Sequence, residues 1–220
     1  MPIRAVFFDL DDTLCDTIGT REARARRAFD AIRGERPDLE VEAFVARVME
    51  AAGPRLVRGV PAVLNELGLA LTPGGSDALA PWYFVGCAEM LRPIDDVPQT
   101  VAALGRDYTL GIISNGDGPL QRAKLDALQF DFEHVVISGE IGCEKPDARI
   151  FRHALSLAGV QAHEAVFVGD RLDVDVGGAK ASGMRAVWFN HWGGLLDSDS
   201  PHPDAVIQRF DQLPAALATI

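Results

Sequence analysis

Apolar residues follow two rhythms along this chain. Val6-Phe7-Phe8 is an unbroken apolar run, the pattern of a strand buried on both faces, and it predicts a strand from Arg4 to Asp9. From about Asp16 to Leu91 the spacing is helical. Thr20–Ile32 is rich in Ala, Arg and Glu and stops before Gly34 and Pro37; Leu39–Ala52 places Val41, Phe44, Val45 and Val48 on one face and stops at Gly53-Pro54. Val60–Leu67 predicts a shorter helix, and Ser76 is a candidate N-cap for a helix through Leu91 whose packing face would be Trp82, Tyr83 and Phe84.

Past Pro93 the rhythm becomes strand then helix, repeated. Strands are expected at Thr109–Ser114, Val135–Ser138, Ala165–Gly169 and Ala186–Phe189, with a weaker edge strand at Ala205–Ile207. Between them lie helices at Val97–Gly105, Pro119–Leu128, Ala148–Ala158 and Val174–Ser182, and a last helix follows the edge strand. That alternation predicts an α/β, Rossmann-like parallel sheet with helices on both faces. The expected domains are a core of residues 1–15 and 94–220 and a helical insert of residues 16–93.

Composition narrows the function without choosing it. A net charge of -11 excludes a general nucleic-acid or anionic-membrane surface, so neither partner is expected. Cys15, Cys87 and Cys143 form no CxxC pair, and no basic and apolar leader opens the chain. No apolar segment is long enough to span a membrane. A soluble cytoplasmic protein, monomer or homodimer, is the expectation.

The chemistry lies where apolar runs stop. Asp9 and Asp11 close the first strand two residues apart, so both side chains leave one face of an extended backbone, and Thr13 follows. Ser114-Asn115-Gly116 ends the second strand, Lys145-Pro146 precedes a helix, and Asp170 ends the Ala165–Gly169 strand with Asp173 and Asp175 behind it. Strand ends of one parallel sheet converge on one crevice, so these groups can meet. Singly, each has a plainer reading: Ser114 as a turn-former, Lys145 as a surface lysine, Asp170 as a helix cap.

Taken together and in order, Asp9-Leu10-Asp11-Asp12-Thr13, Ser114-Asn115-Gly116, Lys145-Pro146 and Gly169-Asp170 through Asp175 resemble the four motifs of the haloacid dehalogenase-like hydrolases, in the branch with a helical cap after the first motif. The resemblance implies a magnesium-dependent phosphatase acting on a small phosphorylated metabolite. In it Asp9 is the nucleophile that forms an aspartyl-phosphate, and Asp11 is the general acid and base. Asp9, Asp170 and the main-chain carbonyl of Asp11 would hold Mg2+, since magnesium takes oxygen ligands. Ser114, with Asn115 and Thr13, would bind the phosphoryl group. Lys145 would set a positive charge beside it, and Asp175 would orient Lys145 or the metal's waters. Asp12 is expected to be structural, Asp173 to be an exposed acid in the first turn of a helix, and His191-Trp192 to be loop packing.

The insert would act as the cap, with its arginines, Arg33, Arg36, Arg55 and Arg58 among them, either lining the entrance or forming a solvated face. A dehalogenase needs no acid at the second aspartate position, so Asp11 argues against that chemistry. A phosphomutase and a non-catalytic regulatory protein are the alternatives. Sugar phosphates, nucleoside monophosphates and phosphoglycolate are all open as substrates.

Overall fold

The computed structural model describes residues 2–34, 37–52, 63–64, 66–68 and 88–220. The chain divides into two compact units, Met1–Asp16 with Arg92–Ile220, and Thr17–Leu91.

The first unit is built on six parallel strands, β1 (Ala5–Phe8), β2 (Thr109–Ser114), β3 (His134–Ile137), β4 (Ala165–Gly169), β5 (Arg185–Phe189) and β6 (Ala205–Ile207), in the order β3-β2-β1-β4-β5-β6. β1 is central and fully buried, with Phe8 opposite Ile112 on one side and Val168 on the other. From β1 the chain winds outward to β2 and β3, then returns to lay β4 on the other flank. The order therefore reverses beside β1, the place where sheets of this kind bind ligands.

Alternation along β1 explains the two covering layers. Phe7 faces a core formed with Phe167 and with Phe151 of helix α6 (Ala148–Ala158), whose ring meets Phe167 edge-on at 5.3 Å. Phe8 faces the other way and meets Phe132 and Phe210 at 6.0 and 5.9 Å between ring centres. The Phe7 ring needs Gly111 beside it, because a Cβ there would lie 2.7 Å from the ring.

Helices α3 (Val97–Leu104), α4 (Gly118–Ala127), α7 (Gly177–Ala181) and α8 (Leu213–Leu217) complete this unit with two departures from the sequence pattern. The third strand ends at Ile137, and Ser138 instead opens a single helical turn, α5 (Ser138–Ile141). Its hydroxyl accepts from Gly116 N–H at 2.9 Å, and Gly139 N–H donates to the Gly116 carbonyl, which draws the chain out of the strand. The helix expected from Val174 begins as a π turn, Leu172–Val176, in which the Asp175 and Val176 amides both donate to the Arg171 carbonyl. Such insertions redirect side chains and recur at functional sites.

In the second unit α1 (Arg21–Ile32) packs on α2 (Val41–Ala52) through Phe29 and Phe44, with Ala25, Ala28, Val45 and Val48 around them. Arg26 and Glu42 pair across the exposed side of this contact. Most of the helices expected over Val60–Leu67 and Ser76–Leu91 lies outside the described residues, as do Trp82, Tyr83, Phe84, Arg36, Arg55 and Arg58. Among the described residues no helix is long and apolar enough to cross a membrane.

Candidate active site

Asp9 stands one residue beyond β1, its amide donating to the Val168 carbonyl at 2.9 Å, so the ladder with β4 fixes where its side chain starts. A tight loop follows. Asp12 takes a left-handed conformation, and the amides of Leu14 and Cys15 both donate to the Leu10 carbonyl. Leu10 and Leu14 are buried beneath, which leaves Asp9, Asp11 and Thr13 on the loop's polar side.

Lys145 is the hub of the site. Its Nζ lies 2.7 Å from Asp9 Oδ1 and 2.8 Å from Asp175 Oδ1, and 4.9 Å from the centre of the Phe167 ring. Only 3% of this lysine is exposed, so it is not a surface residue. The Asn115 side chain holds its backbone, accepting from Lys145 N–H at 2.8 Å and donating to the Lys145 carbonyl at 2.9 Å. The second motif thereby positions the third.

Asp175, also buried, takes the Arg171 amide on its other oxygen at 3.0 Å. The π turn brings it back under the end of β4, so close to Gly169 that a Cβ at that position would sit 2.4 Å from Asp175 Oδ2. Gly169→Ala is therefore expected to push Asp175 off Lys145, at a cost of about 1–3 kcal/mol in stability together with most of the activity. Denaturant unfolding and a rate assay on one preparation check both.

Asp170 follows directly. Thr13 Oγ1 donates to its Oδ1 at a long 3.4 Å, and Trp188 Nε1 donates to its carbonyl at 2.8 Å. Carboxylate oxygens of Asp9, Asp170 and Asp175 all lie within 4.8 Å of one another. Burial, then the Asp175 and Asp11 charges, push Asp9 up to about 7 against the pull of Lys145. Burial, then Asp175 and Asp9, push Asp170 up to about 9. Burial works against the Lys145 ammonium, but Asp175 and Asp9 outweigh it and hold it above the usual lysine range. Three carboxylates around one ammonium leave a deficit of positive charge on a cluster of oxygen donors, and a hard divalent cation fits it.

Ser114 is fully buried at the end of β2, where its Oγ accepts from Gln121 Nε2 at 2.6 Å. Asp11 is held from the same side: Lys124 Nζ lies 2.6 Å from its Oδ1 and Gln121 Nε2 lies 2.8 Å from its Oδ2. Sequence reading passed over Gln121 and Lys124. The signal was their three-residue spacing on the helix face that should carry only apolar residues.

The remaining residues fall into supporting places. Asp173 is exposed and pairs with Arg171. Trp192 donates to the Asp12 carbonyl at 3.0 Å, and His191 stacks on Phe189. Burial pushes the Cys15 thiol up, the opposite of activation. Arg33 lies over the Phe29 ring of its own unit.

Known proteins resemble this chain over most of its length. A sequence model described as haloacid dehalogenase-like hydrolase matches residues 3–183. The chain is 30% identical to the N-acylneuraminate-9-phosphatase of Rattus norvegicus, over 99% of this chain and 95% of that one. It is 35% identical to the glyceraldehyde 3-phosphate phosphatase of Pyrococcus abyssi, over 86% of this chain and 82% of the relative. Among solved structures, a 2-haloacid dehalogenase from Pseudomonas syringae pv. Tomato aligns with a TM-score of 0.73 at 30% identity, covering 99% of each chain. With the motifs gathered at one end of a parallel sheet and a family match across most of its length, the chain belongs to the haloacid dehalogenase-like hydrolases.

Proposed function

We propose that this protein is a magnesium-dependent phosphatase of small phosphomonoester metabolites, working through a phosphorylated Asp9. The observation that carries the reading is the Lys145 bridge between Asp9 and Asp175 with Asp170 alongside. This arrangement orients one carboxylate, neutralises part of its charge and leaves room for a cation's share.

Asp9 would attack phosphorus while the bond to the leaving oxygen breaks, and Asp11 would give that oxygen its proton. Asp11, now a carboxylate, would take a proton from the water that attacks the same phosphorus, releasing phosphate and restoring Asp9. Ser114 receives its hydrogen bond from Gln121, so its own O–H can be donated to a phosphoryl oxygen. Lys145 keeps Asp9 aimed and screens the approach of a phosphate dianion. Magnesium, held by Asp9, Asp170 and the Asp11 carbonyl, would supply Lewis-acid stabilisation of charge on the phosphoryl oxygens. In this reading the Thr17–Leu91 unit is the cap and supplies specificity.

The acid at position 11 separates this chemistry from dehalogenation, which uses a nucleophile but no acid for the leaving group. The relatives named for N-acylneuraminate and glyceraldehyde phosphates put sugar phosphates first in a substrate panel. That panel would hold both of these, glucose 6-phosphate, a nucleoside monophosphate and phosphoglycolate, each with magnesium and with EDTA. Magnesium-dependent phosphate release supports the reading. An isomerised sugar phosphate would mean a mutase, and no reaction with any member would favour a non-catalytic role.

The raised carboxyls make a separate prediction. Between about pH 4 and pH 9 the metal-free native state binds protons at Asp9 and Asp170 that the unfolded chain has released, so its stability falls as pH rises. Magnesium replaces those protons. Its addition is expected to raise Tm more at pH 8 than at pH 5, as thermal melts at matched ionic strength would show.

A further inference from the structure

Helix α4 carries two polar side chains where its inner face should be apolar. Gln121 is 1% exposed and Lys124 is 4% exposed. They lie one turn apart, on a helix whose start is fixed by Asp117 accepting the Leu120 amide at 3.2 Å. A buried ammonium is costly unless paired, and here its partner is Asp11 Oδ1. The Gln121 amide must turn its nitrogen to Asp11, because its oxygen would repel the carboxylate, and the same nitrogen also reaches Ser114 Oγ.

Asp11 sits on a loop with 29% of its side chain exposed. A carboxylate so placed would sample several rotamers, yet each of its oxygens is met by a donor from one rigid helix. Keeping two polar groups on that inner face sacrifices apolar burial, a local cost expected where function requires it.

We propose that Gln121 and Lys124 are positioning residues that aim the Asp11 carboxylate for its two proton transfers. Gln121 also ties that carboxylate to the phosphoryl-binding hydroxyl of Ser114. The proposal rests on the phosphatase reading above.

The test compares kcat/KM on two kinds of leaving group, since this quantity reports the steps through departure of the first product. One substrate is the alkyl phosphate of the panel that the wild type turns over fastest, whose leaving oxygen needs a proton. The other is p-nitrophenyl phosphate, whose leaving phenolate does not. Lys124→Met is expected to lower kcat/KM about 10- to 100-fold on the alkyl phosphate and no more than about threefold on p-nitrophenyl phosphate. Lys124→Arg is expected to recover most of the loss, and Lys124→Met is expected to add nothing in an Asp11→Asn background. Gln121→Met, which keeps the side-chain volume, is expected to slow both substrates through Ser114 and the alkyl phosphate clearly more, and that excess carries the test should Lys124→Met fail to fold.

Equal losses on both substrates, no loss on either, or losses that add to Asp11→Asn would overturn the positioning role alone. A wild type inactive on every panel member would overturn the phosphatase reading and this proposal with it.

Discussion

Asp9→Asn is expected to abolish phosphate release, with kcat falling by at least about 10,000-fold, while the protein stays folded and melts no lower in EDTA at pH 8 than the wild type. The rate loss follows from removing the nucleophile, whose replacement in other enzymes with covalent intermediates costs about that much or more. The stability result follows from electrostatics. Asp9 is held up to about 7 by burial and by the charges of Asp175 and Asp11, so its ionised form is disfavoured in the native state without metal. An amide of the same shape removes that repulsion, and Lys145 keeps Asp175 as its partner. Activity and melting measured on one preparation separate a lost nucleophile from a lost fold. A variant that retains more than a few per cent of wild-type kcat would remove Asp9 from the role.

Lys145→Met is expected to cost both activity and stability. Methionine replaces most of the apolar stem, but the ammonium over the Phe167 ring is gone, and Asp9, Asp170 and Asp175 are then left facing one another with no cation among them. Removing one partner from a buried ion pair costs about 3–5 kcal/mol, which for a chain of this size lowers Tm by roughly 6–20 °C. The loss has a signature that a simple packing defect lacks. It shrinks at pH 5, where protonation of the aspartates relieves the repulsion, and it shrinks when magnesium is added. Melts at pH 5 and pH 8, with magnesium and with EDTA, check it. A loss equal in all four conditions would mean that Lys145 contributes volume and not charge.

Strand ends were the legible part of this chain. Asp9, Ser114 and Asp170 each close an apolar run, and a buried parallel strand carries few polar residues before its end, so a polar residue closing such a run marks the rim. The parallel α/β architecture was readable for the same reason. Other features depend on distance in space. Gln121 and Lys124 interrupt the apolar face of their helix in the sequence, but what they meet there is fixed only once β2 and the first loop are in place around them. The π turn at Leu172–Val176 is one backbone hydrogen bond shifted by a residue, which leaves no trace in hydrophobic spacing. β3 begins at His134 and stops at Ile137, before Ser138, because Ser138 bonds to Gly116 of another loop. The grip of Asn115 on the Lys145 backbone is likewise invisible in a sequence where the two stand 30 positions apart.

The central position of β1 bears on how the molecule is made. Lys145 reaches back 136 residues to Asp9, and Asp170 lies 157 residues beyond its partner Thr13. Within this sheet β1 is therefore the strand whose second neighbour, β4, is made only after β2 and β3. Until then Val6, Phe7 and Phe8 have an unpaired strand edge, an arrangement prone to wrong partners and slow to close. The acids that follow at Asp9, Asp11 and Asp12 put charge at the end of that waiting edge. Charge at that place opposes edge-to-edge pairing between nascent chains.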